Sequence, residues 1–325
     1  MFDNKTVIIT GGTGSFGKNY AKFLLDHFKL KKLIIFSRDE FKQFKMAHEM
    51  TDPKLQFCIG DVKDINRLRI AFREVDIIIH AAALKQIPIL ESNPFEAVKT
   101  NIIGSQNVIE AALDSKASHV LLISSDKAVQ PINLYGATKL CAEKEFVAAN
   151  IHSPRKTKFS IVRYGNVMGS RGSIIETLLK EEVKNVKITH SDMTRFWITL
   201  EQSFDLVNFA LKNMEGGEIF IPKIPSMKLV DLFDVLAPGA KKQFTGIRPG
   251  EKMHEMLLTS DEARRAIELD DYFVIFPDIH FADGFYRKHK GDKKIEPGFY
   301  FSSDTNKAWL TKAEFKKKIN EITLV

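Results

Sequence analysis

The chain has 325 residues, 44% of them hydrophobic and 27% charged, which is enough apolar material for one large core or for a core with a smaller lobe. A net charge of +7 admits nucleic acid as a partner, but the basic clusters "YRKHK" (286–290), "GDKK" (291–294) and "FKKK" (315–318) gather near one end and read as solvated faces, so none is expected. Cys58 and Cys141 offer neither a disulfide framework nor metal-ligand spacing, and no apolar run approaches the ~20 residues of a membrane span; a cytoplasmic protein without metal or membrane partner is expected.

The first apolar run, "TVIIT" at 6–10, begins too close to Met1 to leave room for a signal peptide. After it come "KLIIF" (32–36), "LQFCI" (55–59), "VDIIIH" (75–80), "HVLLIS" (119–124) and "FSIVRY" (159–164). Each is short and rich in aliphatic residues, so each reads as a buried strand. Helix-period stripes lie between them: Phe16, Tyr20, Phe23 and Leu24 in one segment, Val98, Ile102, Val108, Ile109 and Leu113 in another. The alternation specifies an α/β fold, a doubly wound parallel sheet of the Rossmann kind. Past residue 166 the rhythm loosens into long loops, turns at "PKIPS" and "RPGEK", and helices such as "LEQSFDLVNFALKNM". Residues 1–166 are expected to form the nucleotide-binding core, and 167–325 mainly a smaller C-terminal substrate lobe with some segments returning to the core.

Between the first strand and the first helix stand Gly11, Gly14 and Gly17. Without Cβ atoms they permit a tight turn that brings backbone N–H groups and a helix N-terminus against a pyrophosphate. At the end of the second strand, where an acid would hold a ribose 2′-hydroxyl, the chain has Ser37 and Arg38, with Lys42 a turn further on. A hydroxyl and cations suit a 2′-phosphate, which favours NADP; the alternative is that Arg38 is a surface charge paired with Asp39 or Glu40. Asp61 after the third strand suits the adenine amino group, and the small residues Ala81, Ala82 and Ala83 after the fourth leave room for the cofactor or simply pack.

Tyr135 and Lys139 are four residues apart and share a helix face. A phenol with a pKa near ~10 needs positive charge close by to act as a base, and Lys139 is placed to supply it while also reaching the nicotinamide ribose. The pair indicates oxidation of an alcohol to a ketone. Asp126 and Lys127 stand nine and eight residues before the tyrosine, directly after a strand. Successive strand residues face opposite ways, so both reach one cavity only if the chain turns there; by themselves such charges are as well a solvated loop.

The glycine spacing and Tyr135-x-x-x-Lys139 resemble the short-chain dehydrogenase/reductase superfamily, in which Ser125 lies where a hydroxyl steadies the substrate oxygen. Longer strings carry the likeness further: "HAAALKQIPILESNPFEAVKTNIIGSQNVIEAA", "PINLYGATKL", "VRYGNVMGSRGS", "MTRFWITL", "GGEIFIPKIPSMK", "GIRPGEKMHE", and "SSDTN" and "WLT" near the end. These resemble the inverting UDP-N-acetylglucosamine 4,6-dehydratases of pseudaminic acid biosynthesis. "SSDK" stands where the retaining relatives carry Thr-Asp-Glu and the inverting ones have lysine in place of the glutamate; residues 280–300 match least. The resemblance implies NADP, UDP-N-acetylglucosamine as substrate and a homo-oligomer, a hexamer in the family. It implies cofactor contacts from Thr13, Ser15, Phe16, Val62 and Lys85 beside the residues already named. Lys85, Asn166, Arg195, Arg248 and Glu251 have the chemistry to hold a UDP-sugar, and each could as well be a surface or structural residue; the "RPGEK" resemblance favours Arg248 and Glu251. It further implies that Lys127, held neutral, removes the C5 proton while Asp126, held protonated, delivers one to the departing C6 hydroxyl. Two rivals use less of the site: a sugar-nucleotide 4-epimerase or reductase working with Tyr135 and Lys139 alone, and a non-catalytic dinucleotide sensor.

Overall fold

The computed structural model describes residues 1–153, 157–180, 183–277 and 294–321. Among the described residues sixteen strands follow in chain order: β1 (Thr6–Thr10), β2 (Lys32–Ser37), β3 (Leu55–Ile59), β4 (Ile77–His80), β5 (His119–Ser125), β6 (Lys158–Tyr164), β7 (Asn166–Val167) and β8 (Asn185–Ile188). Then come β9 (Thr194–Ile198), β10 (Ile219–Pro222), β11 (Ser226–Lys228), β12 (Lys241–Phe244), β13 (Met256–Leu258), β14 (Ala266–Glu268), β15 (Tyr272–Ile275) and β16 (Phe301–Ser302).

Nine of them form one sheet in the order β14-β15-β10-β6-β5-β4-β1-β2-β3. From β3 to β10 every neighbouring pair is parallel, and the order β3-β2-β1-β4-β5-β6 is that of a Rossmann sheet. The six runs of the first half are β1 to β6. Two departures have physical reasons. The string "LQFCI" is half exposed rather than buried, because β3 has a strand on one side only. The sheet is also not wholly parallel: β15 runs antiparallel to β10, and β14 antiparallel to β15, closing the far edge with a chain reversal that needs no crossover helix. The stripe from Val98 to Leu113 is not one regular helix either, since Val98–Ile103 is a π-helical turn before the helix Gly104–Leu113.

The main core gathers both faces of this sheet with the helices Ser15–His27 and Leu200–Asn213, whose Tyr20, Leu24, Leu206 and Val207 are fully covered. A second core lies outside it. Met168, Ile175, Val186, Ile188, Trp197, Met227, Leu232 and Phe315 meet there, drawn from the residue after β7, from β8, β9 and β11, and from the helices Ile174–Lys180, Leu229–Leu236 and Lys312–Glu321. The last helix buries Phe315 and Ile319 and turns Lys316 and Lys317 outward, as a solvated face; the clusters at 286–290 and 291–293 lie outside the described residues. Among the described residues no helix is long and apolar enough to cross a membrane.

Candidate active site

A cavity of about 640 Å³ opens along the C-terminal ends of the parallel strands, where the order reverses between β1 and β4 and such sheets bind their ligands. Gly11 follows β1 at φ +68°, and a Cβ there would lie 2.8 Å from the backbone of Ala82 after β4, so only glycine closes the seam. Gly14 caps the helix Ser15–His27 with no side-chain hydrogen bond, which leaves the first N–H groups turned towards the cavity for an anion. The cradle thus fits a dinucleotide pyrophosphate. Gly11, Thr13, Gly14, Ser15, Phe16, Gly17, Ser37, Arg38, Lys42, Asp61, Val62, Ala81, Ala82, Ala83, Lys85, Tyr135 and Lys139 all line this one space.

At its adenosine end the guanidinium of Arg38 is exposed and lies 3.7 Å from Asp61. It does not pair with Asp39. That acid caps the next helix, accepts the Lys42 N–H (3.0 Å) and holds the Lys42 ammonium at 2.8 Å. Ser37 also has a structural part, since Gln43 donates to its hydroxyl and to the Cys58 carbonyl, both at 3.0 Å, and so ties β2 to β3.

At the other end β5 stops at Ser125 and a single 3-10 turn, Asp126–Ala128, begins. That break in the strand is the turn the two charges require. Ser125 Oγ donates to Asp126 Oδ1 (2.7 Å) and accepts the Lys127 N–H (3.2 Å). The helix Leu134–Ala149 presses on this turn at Gly136, where a Cβ would run into the Lys127 carbonyl oxygen. Asn133 caps the same helix, accepting the Gly136 N–H (2.8 Å), and donates to the Gly250 carbonyl (2.9 Å). The close fit places Tyr135, Ser125 and Lys127 on one wall.

The electrostatics differ from the sequence expectation at both lysines. Lys127 Nζ donates to Asp126 Oδ1 (2.9 Å) and to Asn166 Oδ1 (3.3 Å), and lies 3.6 Å from Glu255 Oε1. Burial disfavours its charge, but the carboxylates of Asp126 and Glu255 outweigh burial, and Lys127 is held as ammonium rather than neutral. Burial pushes the Tyr135 phenol up to about 12, with Lys127 the charge drawing it back and a hydrogen bond from Ser125 helping. Lys139 was expected to serve the phenol. Its ammonium is instead turned onto the Ile123 carbonyl at 2.7 Å, and burial, only partly offset by Glu143, lowers its pKa to about 8.

Of the expected substrate residues, Lys85 and Asn166 line the cavity. Arg195, Arg248 and Glu251 do not. Arg195 is buried, donates to the carbonyls of Thr194 (2.7 Å) and Met253 (3.2 Å), and lies 3.7 Å from Glu251. Arg248 lines a separate surface cavity with Lys187, Thr245 and Pro249. Asp126, fully buried, touches the main cavity only through Lys127 and Ser125. The sequence reading passed over Asn101, which holds the segment after β4 against the helix Leu134–Ala149 through Leu84 (2.8 Å) and Thr138 (3.0 Å), and over Glu255. Both lie inside the quoted strings, but polar residues in a π-turn or ahead of a short strand give no local signal of burial.

Fold and cavity define a Rossmann enzyme of the short-chain dehydrogenase/reductase kind. The chain belongs to the polysaccharide biosynthesis protein family, which matches residues 7–277. It is 49% identical, over 98% of each chain, to UDP-N-acetylglucosamine 4,6-dehydratase (inverting) from Campylobacter jejuni subsp. jejuni serotype O:2. It is 42% identical to UDP-glucose 4-epimerase from Rickettsia bellii, over 91% of this chain and 89% of that one. The X-ray structure of Pen from Bacillus thuringiensis matches with a TM-score of 0.91 at 38% identity, over 100% of this chain and 99% of that one.

Proposed function

We propose that this chain is an inverting UDP-N-acetylglucosamine 4,6-dehydratase that works with NADP and yields UDP-2-acetamido-2,6-dideoxy-β-L-arabino-hexos-4-ulose. This is the opening step of a pseudaminic acid type of pathway. In this reading residues 1–166 carry the cofactor, the later chain contributes mainly the substrate lobe, and the protein is a homo-oligomer. The observation that carries it is the hydrogen-bonded Asp126–Lys127 pair, 2.9 Å apart, on the same wall as Tyr135.

A nicotinamide dinucleotide held in the cradle of Gly11 and Gly14 would accept the hydride from C4 and supply it again at C6. The protein's own residues handle protons. Tyr135, ionised on substrate binding with Lys127 and Ser125 opposing the burial that holds it neutral, accepts the C4 hydroxyl proton. The resulting ketone acidifies C5. Elimination then asks for a base and an acid, and the resting ion pair holds the one proton that both need. Moving it along the 2.9 Å hydrogen bond from Lys127 Nζ to Asp126 Oδ1 gives a neutral amine and a carboxylic acid with no change in total charge. The amine takes the C5 proton and becomes ammonium. The acid gives its proton to the C6 oxygen, which leaves as water, and the resting pair is restored. Once C6 has its hydride, C5 takes a proton on the face opposite the one it lost, which inverts C5, and Tyr135 gives up the proton it accepted, so that the count closes. Arg38 and Lys42 at the cavity's adenosine end support NADP over NAD.

The 4-epimerase reading has the Rickettsia bellii relative behind it. An epimerase returns hydride to C4 and has no use for Lys127. Purified protein given UDP-N-acetylglucosamine separates the two by the product's proton spectrum. A C6 methyl doublet supports dehydration; an intact C6 hydroxymethyl group with inverted C4 overturns it.

A further inference from the structure

The proton transfers above leave a second buried carboxylate beside Lys127 without a part. Glu255, just before β13, has a side chain only 4% exposed. Its backbone is clamped by Ser303, whose hydroxyl accepts the Glu255 N–H (2.9 Å) and whose N–H donates to the Glu255 carbonyl (2.8 Å). Oε1 lies 3.6 Å from Lys127 Nζ and 3.8 Å from Arg195 Nε, and Oε2 lies 3.7 Å from Lys252 Nζ. Yet among the described residues Oε2 accepts no hydrogen bond. A buried carboxylate oxygen left so is costly, and its place asks for a reason.

The neighbouring cations narrow that reason. Arg195 is seated on the carbonyls of Thr194 and Met253, and Lys252 donates to the Val129 carbonyl, so both have hydrogen-bonded anchors of their own. Lys127 faces Asp126 on its own turn, Glu255 and Lys252 from the segment before β13, Arg195 from β9, Tyr135 from the helix Leu134–Ala149 and Lys85 after β4. Of these Asp126 and Glu255 are the acids that favour its ammonium, and Asp126 must itself change protonation in the elimination. Glu255 is the one that need not.

We infer that Glu255 is a positioning residue for the Asp126–Lys127 pair, a fixed negative charge that keeps the pair's single working proton from escaping to solvent. The inference rests on the dehydratase reading. Losing that proton leaves an amine beside a carboxylate, a base with no acid for the departing hydroxyl, so activity falls on the alkaline side at the pKa of the shared proton. Glu255 raises that pKa. Its charge also favours the ammonium that forms as Lys127 takes the C5 proton.

The test is the pH dependence of kcat and KM for dehydration of UDP-N-acetylglucosamine, followed by the product's proton spectrum, in the wild type, Glu255→Gln, Glu255→Asp and Lys252→Met. An opposite charge within about 4–6 Å moves a pKa by about 1–3, so Glu255→Gln should bring the alkaline limb of kcat down by about one pH unit or more. Glu255→Asp keeps the charge and should restore most of the range. Lys252→Met removes a cation facing both groups and should move the limb upward. KM should change little, because Glu255 is not on the cavity wall. A limb that stays in place in Glu255→Gln, or that moves alike in the Gln and Asp variants, overturns the inference. Cofactor titration reports folding; should Glu255→Gln not fold, an unmoved limb in Lys252→Met overturns it alone. A wild type that forms no methyl product at any pH defeats the dehydratase reading instead.

Discussion

Lys139 and Lys127 line one cavity within a dozen residues of each other, yet their surroundings treat the same ammonium in opposite ways. Lys139 sits on the helix Leu134–Ala149 with one acid nearby, Glu143, and that acid is already committed. Arg163 holds Glu143 at 2.6 Å and Glu262 at 2.9 Å, and Ser124 donates to Glu143 at 2.6 Å. Burial therefore prevails and draws Lys139 to about 8. Lys127 sits on the turn after β5 between Asp126 and Glu255, and there the acids prevail. A lysine's charge in a closed site follows the acids not already spoken for, more than its depth.

The largest effect expected from breaking this contrast is at the phenol that Lys127 faces. Tyr135→Phe keeps the ring and removes the hydroxyl assigned to the C4 proton; turnover should fall by about 10²- to 10⁴-fold while cofactor binding, measured by titration, is kept. Dehydration at wild-type rate would take Tyr135 out of the mechanism.

Next comes the cofactor's far end. Arg38→Ala should weaken NADP by about 10- to 100-fold, the worth of charge-assisted hydrogen bonds to a 2′-phosphate, and leave NAD nearly unchanged. Equal losses for the two cofactors would show that Arg38 serves only its contact with Asp61.

The smallest effect sharpens the contrast through stability. The folded chain binds the Lys139 proton less tightly than the unfolded chain, so wild-type stability rises with pH from about 8 towards the ordinary value of 10.5. Below that window the fold bears a strained ammonium, and Lys139→Met should be more stable than wild type by on the order of 2 kcal/mol at neutral pH. The advantage should shrink as pH rises through the window, read by denaturant unfolding. A constant difference across pH would mean the gain comes from packing.

What the sequence discloses follows the same division. The cradle was legible because its parts lie within one strand, one turn and one helix start, where Gly11, Gly14 and Gly17 are obligatory at fixed spacing. Tyr135 and Lys139 were legible for the same reason, four residues on one helix. The charge balance of Lys127 was not, because Glu255 comes from the segment before β13 and Arg195 from β9, and only the folded chain brings Glu255 within 4 Å of both. Arg195 had the right chemistry to be read as a substrate cation, but "MTRFWITL" gives no sign that its guanidinium is turned inward onto Thr194 and Met253. Arg248, by contrast, is simply held in a loop beyond the cavity wall.

The account turns on Lys127 adding elimination to an oxidation that Tyr135 performs. Lys127→Ala leaves Tyr135, Lys139 and the cradle in place, so its reaction with UDP-N-acetylglucosamine in deuterated water measures the claim directly. Product carrying a C6 methyl group should form about 10²- to 10⁴-fold more slowly than with the wild type, and recovered substrate should carry no deuterium at C5, while NADP still binds. Methyl-bearing product formed at an undiminished rate, with deuterium at C5, would contradict it and leave Lys127 a charge on a loop.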